Sequence, residues 1–93
     1  MSYYTLEFSE TALDDIEKHK KSGDKLVLKK IEKLLFELTE HPTTGMGQPE
    51  MLKYGLAGLY SRRINKKHRL VYSINKEIIT VYVLSVWAHY GDK

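Results

Sequence analysis

Cysteine is absent from this chain, which excludes disulfides and any zinc site built on thiolates. Its four histidines show no HxxxH or HExxH spacing, so no metal site and no metal cofactor is expected. Proline occurs only at Pro42 and Pro49, leaving long uninterrupted segments on either side. No apolar run reaches membrane-spanning length. The opening MSYYTLEFSE lacks the basic and apolar regions of a secretory signal. A soluble cytoplasmic protein without membrane contact is the expectation. One further absence is local: no acidic residue lies between Met51 and Lys76.

What is present then stands out. Residues 1–50 hold ten acids and seven lysines, a net charge of −3, whereas residues 51–76 hold seven bases and carry +7. Those bases are Lys53, Arg62, Arg63, Lys66, Lys67, Arg69 and Lys76, interleaved with aromatic and aliphatic residues. The asymmetry points to an anionic partner for the second half. At 93 residues, 42% hydrophobic and 29% charged, the chain reads as one globular domain over 1–93.

Tyr4, Leu6 and Phe8 alternate with Tyr3, Thr5 and Glu7, the pattern of a short strand. Ser9 or Thr11 can cap a helix running to about Lys20, broken at Ser22-Gly23. Asp24 can cap a second helix, whose Val27, Ile31, Leu34, Leu35 and Leu38 form one apolar stripe before His41-Pro42 stops it. After a loop over 43–49 the period changes to that of strands. These are expected at Glu50–Leu56, Leu59–Ile64, His68–Ile74 and Ile78–Trp87, with turns at Asn65-Lys66-Lys67 and Asn75-Lys76-Glu77. The last is almost continuously apolar and should be central in the sheet. The fold class is α+β: an N-terminal strand, a helical hairpin, then a mostly antiparallel sheet of about four further strands.

The candidate chemistry is RNA cleavage without metal, because the 2′-OH of RNA is its own nucleophile. Such a site needs a base, cations for the charge that builds on phosphorus, and an acid for the leaving oxygen. Glu50, at a loop-to-strand junction before the basic stretch, is the candidate base. Arg69 alternates with Leu70 and Tyr72 and so faces away from the core, while Arg63 lies on the preceding strand of the same hairpin. A paired arginine clamp on phosphate can be built there. Arg62 reads instead as the partner of a helix carboxylate. His89 lies 39 residues after Glu50 and can serve as the acid, with Tyr90 beside it to stack on a base or touch phosphate. His19, His41 and His68 are weaker candidates. Tyr4, Tyr72 and Tyr82 read as core fillers.

The stretch GxGxPExLKxxLxGxxSRRIxxxHRLVY, followed by a C-terminal HY, resembles the YoeB/Txe toxins of bacterial type II toxin–antitoxin modules, within the RelE/ParE superfamily. The likeness extends over YTLEFSETALDDI, KKIEKLL and HPTTG. It implies a RelE-like fold and a ribosome-dependent mRNA endonuclease cutting in the codon at the A site of the 70S ribosome, which halts translation. It implies Glu50 as general base, His89 as general acid, Arg69 as transition-state stabiliser, Lys53 and Arg63 as phosphate-binding residues, and Tyr90 as a substrate-positioning residue. It further implies a YefM/Axe-type antitoxin partner, operator DNA bound only through the toxin–antitoxin complex, and a capacity to homodimerise. Three features depart from the usual pattern: Leu59-Tyr60 before SRR, Trp87-Ala88 before HY, and the tail Gly91-Asp92-Lys93. Two other functions fit the same fold class. One is a non-enzymatic inhibitor of the kind that poisons gyrase, a group that lacks this acid–base set. The other is a bare RNA- or ribosome-binding domain.

Overall fold

The computed structural model describes residues 3–45, 50–51 and 58–87, with 50–51 described through their backbone pairing. The chain runs as strand β1 (Thr5–Phe8), helix α1 (Glu10–Ser22), helix α2 (Lys25–Glu40), then strands β2 (Glu50–Met51), β3 (Leu59–Arg63), β4 (Arg69–Asn75) and β5 (Thr80–Ser85). Local chemistry sets the helix ends. Ser9 caps α1 by accepting from the Ala12 N–H at 3.0 Å. Gly23 ends it with φ of 75°, a left-handed conformation that a glycine adopts without cost. Asp24 then caps α2 by accepting from the Val27 N–H.

The five strands form one sheet in the order β1-β5-β4-β3-β2. β1 pairs parallel with β5, and every other pairing is antiparallel. The expected central position of the last strand is thus met: β5 lies between β1 and β4. Val81 and Val83 of β5 are fully buried, and alternate with half-buried Tyr82 and Leu84. Val27, Ile31, Leu34 and Leu38 of α2 pack with Ala12 of α1 against Ile64, Leu70, Tyr72, Val81, Val83 and Val86. Leu35 of the expected stripe is only half-buried. Tyr72 fills the core as expected, but Tyr82 does not. It stands in register with Ser73 and Glu7, on the sheet face away from that cluster.

Two expected boundaries shift for a shared reason. The Asn65 side chain accepts from the N–H groups of Lys67 and His68, and Asn75 accepts from those of Glu77 and Ile78. Such side-chain turns remove the following residues from the strand ladder. β4 therefore begins at Arg69 rather than His68, and β5 at Thr80 rather than Ile78. Of the strand expected over Glu50–Leu56, residues 50–51 are β2 and the remainder lies outside the described residues.

The β4–β5 turn carries a local strain. Ile79 adopts φ of 49°, a left-handed conformation that costs a β-branched residue roughly 1–2 kcal/mol. Its carbonyl accepts from the Thr5 N–H at 2.9 Å, which ties the turn to β1. Ile79→Asn keeps that backbone bond and tolerates the conformation. A thermal melt should show Tm raised by about 4–8 °C, the equivalent of about 1 kcal/mol in a domain of this size. A lower Tm would mean that the partly exposed side chain contributes more than the strain costs.

Candidate functional site

β3 and β4 are joined by the tight Asn65 turn, and their register places Arg63 directly opposite Arg69. Ser61 is opposite Val71 on the same hairpin, and Glu50 of β2 is opposite Ser61. Cross-strand partners share a face of the sheet, with Cα atoms about 4.5–5.5 Å apart. The Arg69 Nε–H donates to the Ser61 hydroxyl at 3.1 Å, which fixes its side chain along the sheet. Arg63 is exposed and Arg69 half-buried, while Ser61 and Val71 are buried. The exposed Lys66 and Lys67 add two more cations at the tip of the hairpin. Of the residues read from the sequence as functional, Arg63 and Arg69 are thus brought together, and the register sets Glu50 one strand away. Lys53, His89, Tyr90, Ala88 and the tail Gly91-Asp92-Lys93 lie outside the described residues.

On the other face of the same hairpin, Arg62 has a structural role. It is fully buried. Its guanidinium donates to Glu37 Oε1 at 2.9 Å, to the Tyr72 hydroxyl at 3.2 Å, to the Thr44 carbonyl at 2.8 Å and to the His41 carbonyl. The Tyr72 hydroxyl in turn donates to the Pro42 carbonyl. Burial raises the Tyr72 pKa above that of an ordinary phenol, and Arg62 pulls it back in part. The expected pairing of Arg62 with a helix carboxylate is therefore met, and the pair does more than was expected. It ties the chain after α2 to the sheet. Gly45 completes the arrangement, since its φ is 102° and a Cβ there would fall 2.1 Å from Glu37 Oε1.

A second cluster lies apart from the residues that the sequence marks as the strongest candidates. His19 and His68, the weaker candidates, are both buried. Their rings meet edge to face at 4.8 Å, and Trp87 packs on both, at 4.7 and 4.4 Å. Two signals could have found it. His68 shares its parity with Leu70 and Tyr72, and His19 follows Ala12 and Asp15 on the inner stripe of α1.

The YoeB-like toxins of bacterial type II toxin–antitoxin systems match residues 8–90 as a family. This chain belongs to that family. The toxin YoeB of Escherichia coli (strain K12) is 41% identical over 58 residues, spanning 62% of this chain and 69% of that protein. A YoeB/ParE toxin from Agrobacterium tumefaciens superposes with a TM-score of 0.85 at 32% identity, over 92% of this chain and 99% of the other. The YoeB of Staphylococcus aureus has been solved as a dimer, with a TM-score of 0.79, and as a heterotetrameric complex with YefM, with a TM-score of 0.77. Both are 39% identical and cover 94% of this chain and 98% of theirs. This YoeB-like toxin has the α+β fold of those neighbours. Among its described residues, no helix is long and apolar enough to cross a membrane.

Proposed function

We propose that this YoeB-like toxin is a metal-independent, ribosome-dependent mRNA endoribonuclease that cuts in the A-site codon and so stops translation. The observation that carries this reading is the Arg63–Arg69 pair. The register holds the two arginines directly opposite each other on the hairpin, and two planar guanidinium forks side by side suit a phosphate.

In the reaction, Glu50 takes the proton of the 2′-OH. The 2′-oxygen bonds to phosphorus, the bond from phosphorus to the 5′-oxygen breaks, and His89 protonates that oxygen. The products are a 2′,3′-cyclic phosphate and a 5′-hydroxyl. Arg69 stabilises the charge on phosphorus. Arg63 and Lys53 hold the backbone, and Tyr90 positions the substrate. No cofactor takes part. We assign the activity to a single domain over 1–93, acting in the cytoplasm where its ribosomal substrate is. The YefM partner of the S. aureus relative supports a YefM-type antitoxin for this chain, with operator DNA bound only through their complex. The dimer of the same relative supports self-association.

Mapping mRNA 5′ ends in a bacterial translation system tests the reading. The wild type should create 5′-hydroxyl ends within A-site codons, and Glu50→Ala, Arg69→Ala and His89→Ala should not. Translation arrest without new ends would sink it and favour a non-enzymatic inhibitor.

A further inference from the structure

Helix α1 and its cap grip the end of β5 and the residue after it through three side chains, those of Ser9, Asp15 and His19. The Ser9 hydroxyl donates to the Leu84 carbonyl at 2.8 Å. One turn and a half further along, the Val86 N–H donates to Asp15 Oδ2 at 2.9 Å. One turn beyond that, His19 Nε2 lies 2.7 Å from the Val86 carbonyl. A carbonyl can only accept, so this nitrogen carries the proton. Asp15 and His19 are 4% and 2% exposed. Both polar groups of Val86 are therefore held by α1, one residue after β5 ends. The next residue, Trp87, is held by its ring against His19 and His68, with the Lys18 ammonium 5.4 Å from the ring centre.

A fully buried Val86 needs partners for its N–H and its C=O, and here both come from side chains of α1. Bonds to both the N–H and the C=O of one residue do something packing does not: they fix the direction in which the backbone leaves the sheet. His89 follows two residues after Trp87. A general acid must come within about 2.6–3.2 Å of the oxygen it protonates. Misplacement by about 1 Å can cost about 10²-fold in rate.

We infer that Asp15 and His19 are positioning residues for the reaction: by clamping both peptide groups of Val86, with Trp87 seated on His19 and His68, they fix the direction in which the chain leaves β5 toward the segment of the sequence that carries His89. This rests on the nuclease reading above, in which His89 is the acid. His19→Phe keeps a ring of similar size and removes the donor. His19→Gln can return an N–H donor to nearly the same point.

The experiment measures steady-state cleavage of ribosome-bound mRNA, with thermal melts to choose a temperature at which each variant is folded. His19→Phe should lower kcat by at least about tenfold with KM little changed, and His19→Gln should restore most of that loss. Wild-type kcat in folded His19→Phe overturns the inference while leaving the nuclease reading intact. A wild type that cuts no mRNA overturns both. If His19→Phe does not fold, Asp15→Ala decides, since it removes the acceptor of the Val86 N–H while placing the best helix former in α1. A severalfold fall in its kcat supports the clamp, and an unchanged kcat overturns it.

Discussion

Arg69→Ala will lower the single-turnover rate of A-site cleavage by about 10²–10³-fold, the usual effect of removing one pre-organised group that stabilises transition-state charge. Its fold should survive, because Arg69 is only half-buried and begins its strand. The bond to Ser61 contributes about 1 kcal/mol, and its loss is one structural cost. Arg69→Lys should recover only part of the rate. An ammonium keeps the charge but not the fork, and it cannot both bond Ser61 and reach a phosphate in the same way. Arg63→Ala is expected to behave differently. Arg63 is exposed and stands at the end of β3, and on the proposed reading it holds the RNA backbone rather than the reacting phosphorus. Its loss should raise KM and reduce the slope of log KM against log salt by about one unit, with kcat little affected. The assays are single-turnover cleavage for Arg69→Ala and steady-state cleavage at several salt concentrations for Arg63→Ala. Arg69→Ala cutting at the wild-type rate would remove Arg69 from the chemistry. Arg63→Ala with an unchanged salt slope would remove the phosphate contact.

How far the sequence revealed this arrangement depends on the residue. Helix α2 was legible because its inward face is purely aliphatic, so the 3.6-residue period appears directly in Val27, Ile31, Leu34 and Leu38. Helix α1 buries Ala12, Asp15 and His19 instead, a stripe that hydrophobicity alone cannot detect. Its polar members are buried because they bond the peptide groups of Val86, 67 and 71 residues away in the sequence. No local pattern encodes that partner. The two asparagine turns were visible as turns. That their side chains would take Ile78 and Ile79 out of β5 was not, because apolar β-branched residues ordinarily argue for strand. Strand parity sufficed to put Arg69 on the face away from the core. The register that sets Arg63 opposite it, and Glu50 opposite Ser61, is a tertiary fact. In Arg62-Arg63 the adjacent pair divides its labour by parity alone: one side chain enters the core and the other faces out.

That division leads to the largest expected effect on stability, at Arg62. Removing one partner of a buried ion pair typically costs about 3–5 kcal/mol, because the other charge and its polar neighbours are left behind. Arg62→Met fills most of the volume but leaves Glu37, the Tyr72 hydroxyl and the carbonyls of His41 and Thr44 without the guanidinium they share. Net stabilities of domains run from about 5 to 15 kcal/mol, so this loss is more than half of the total at the lower end. Urea unfolding should show it as a lower midpoint with the slope preserved. Adding Glu37→Met removes the stranded carboxylate, which is itself 24% exposed and so partly hydrated. If the ion pair were the whole interaction, the double variant would regain the wild-type midpoint. We expect it to regain only part, because the guanidinium also bonds the His41 and Thr44 carbonyls and the Tyr72 hydroxyl, each such bond contributing about 0.5–1.5 kcal/mol net. Full recovery would contradict an anchoring role for Arg62. Partial recovery has a functional corollary. Arg62 holds the segment from His41 to Thr44, which leads toward β2 and Glu50. The double variant, assayed where it is folded, should therefore cut mRNA more slowly than the wild type although no residue assigned to the chemistry has changed.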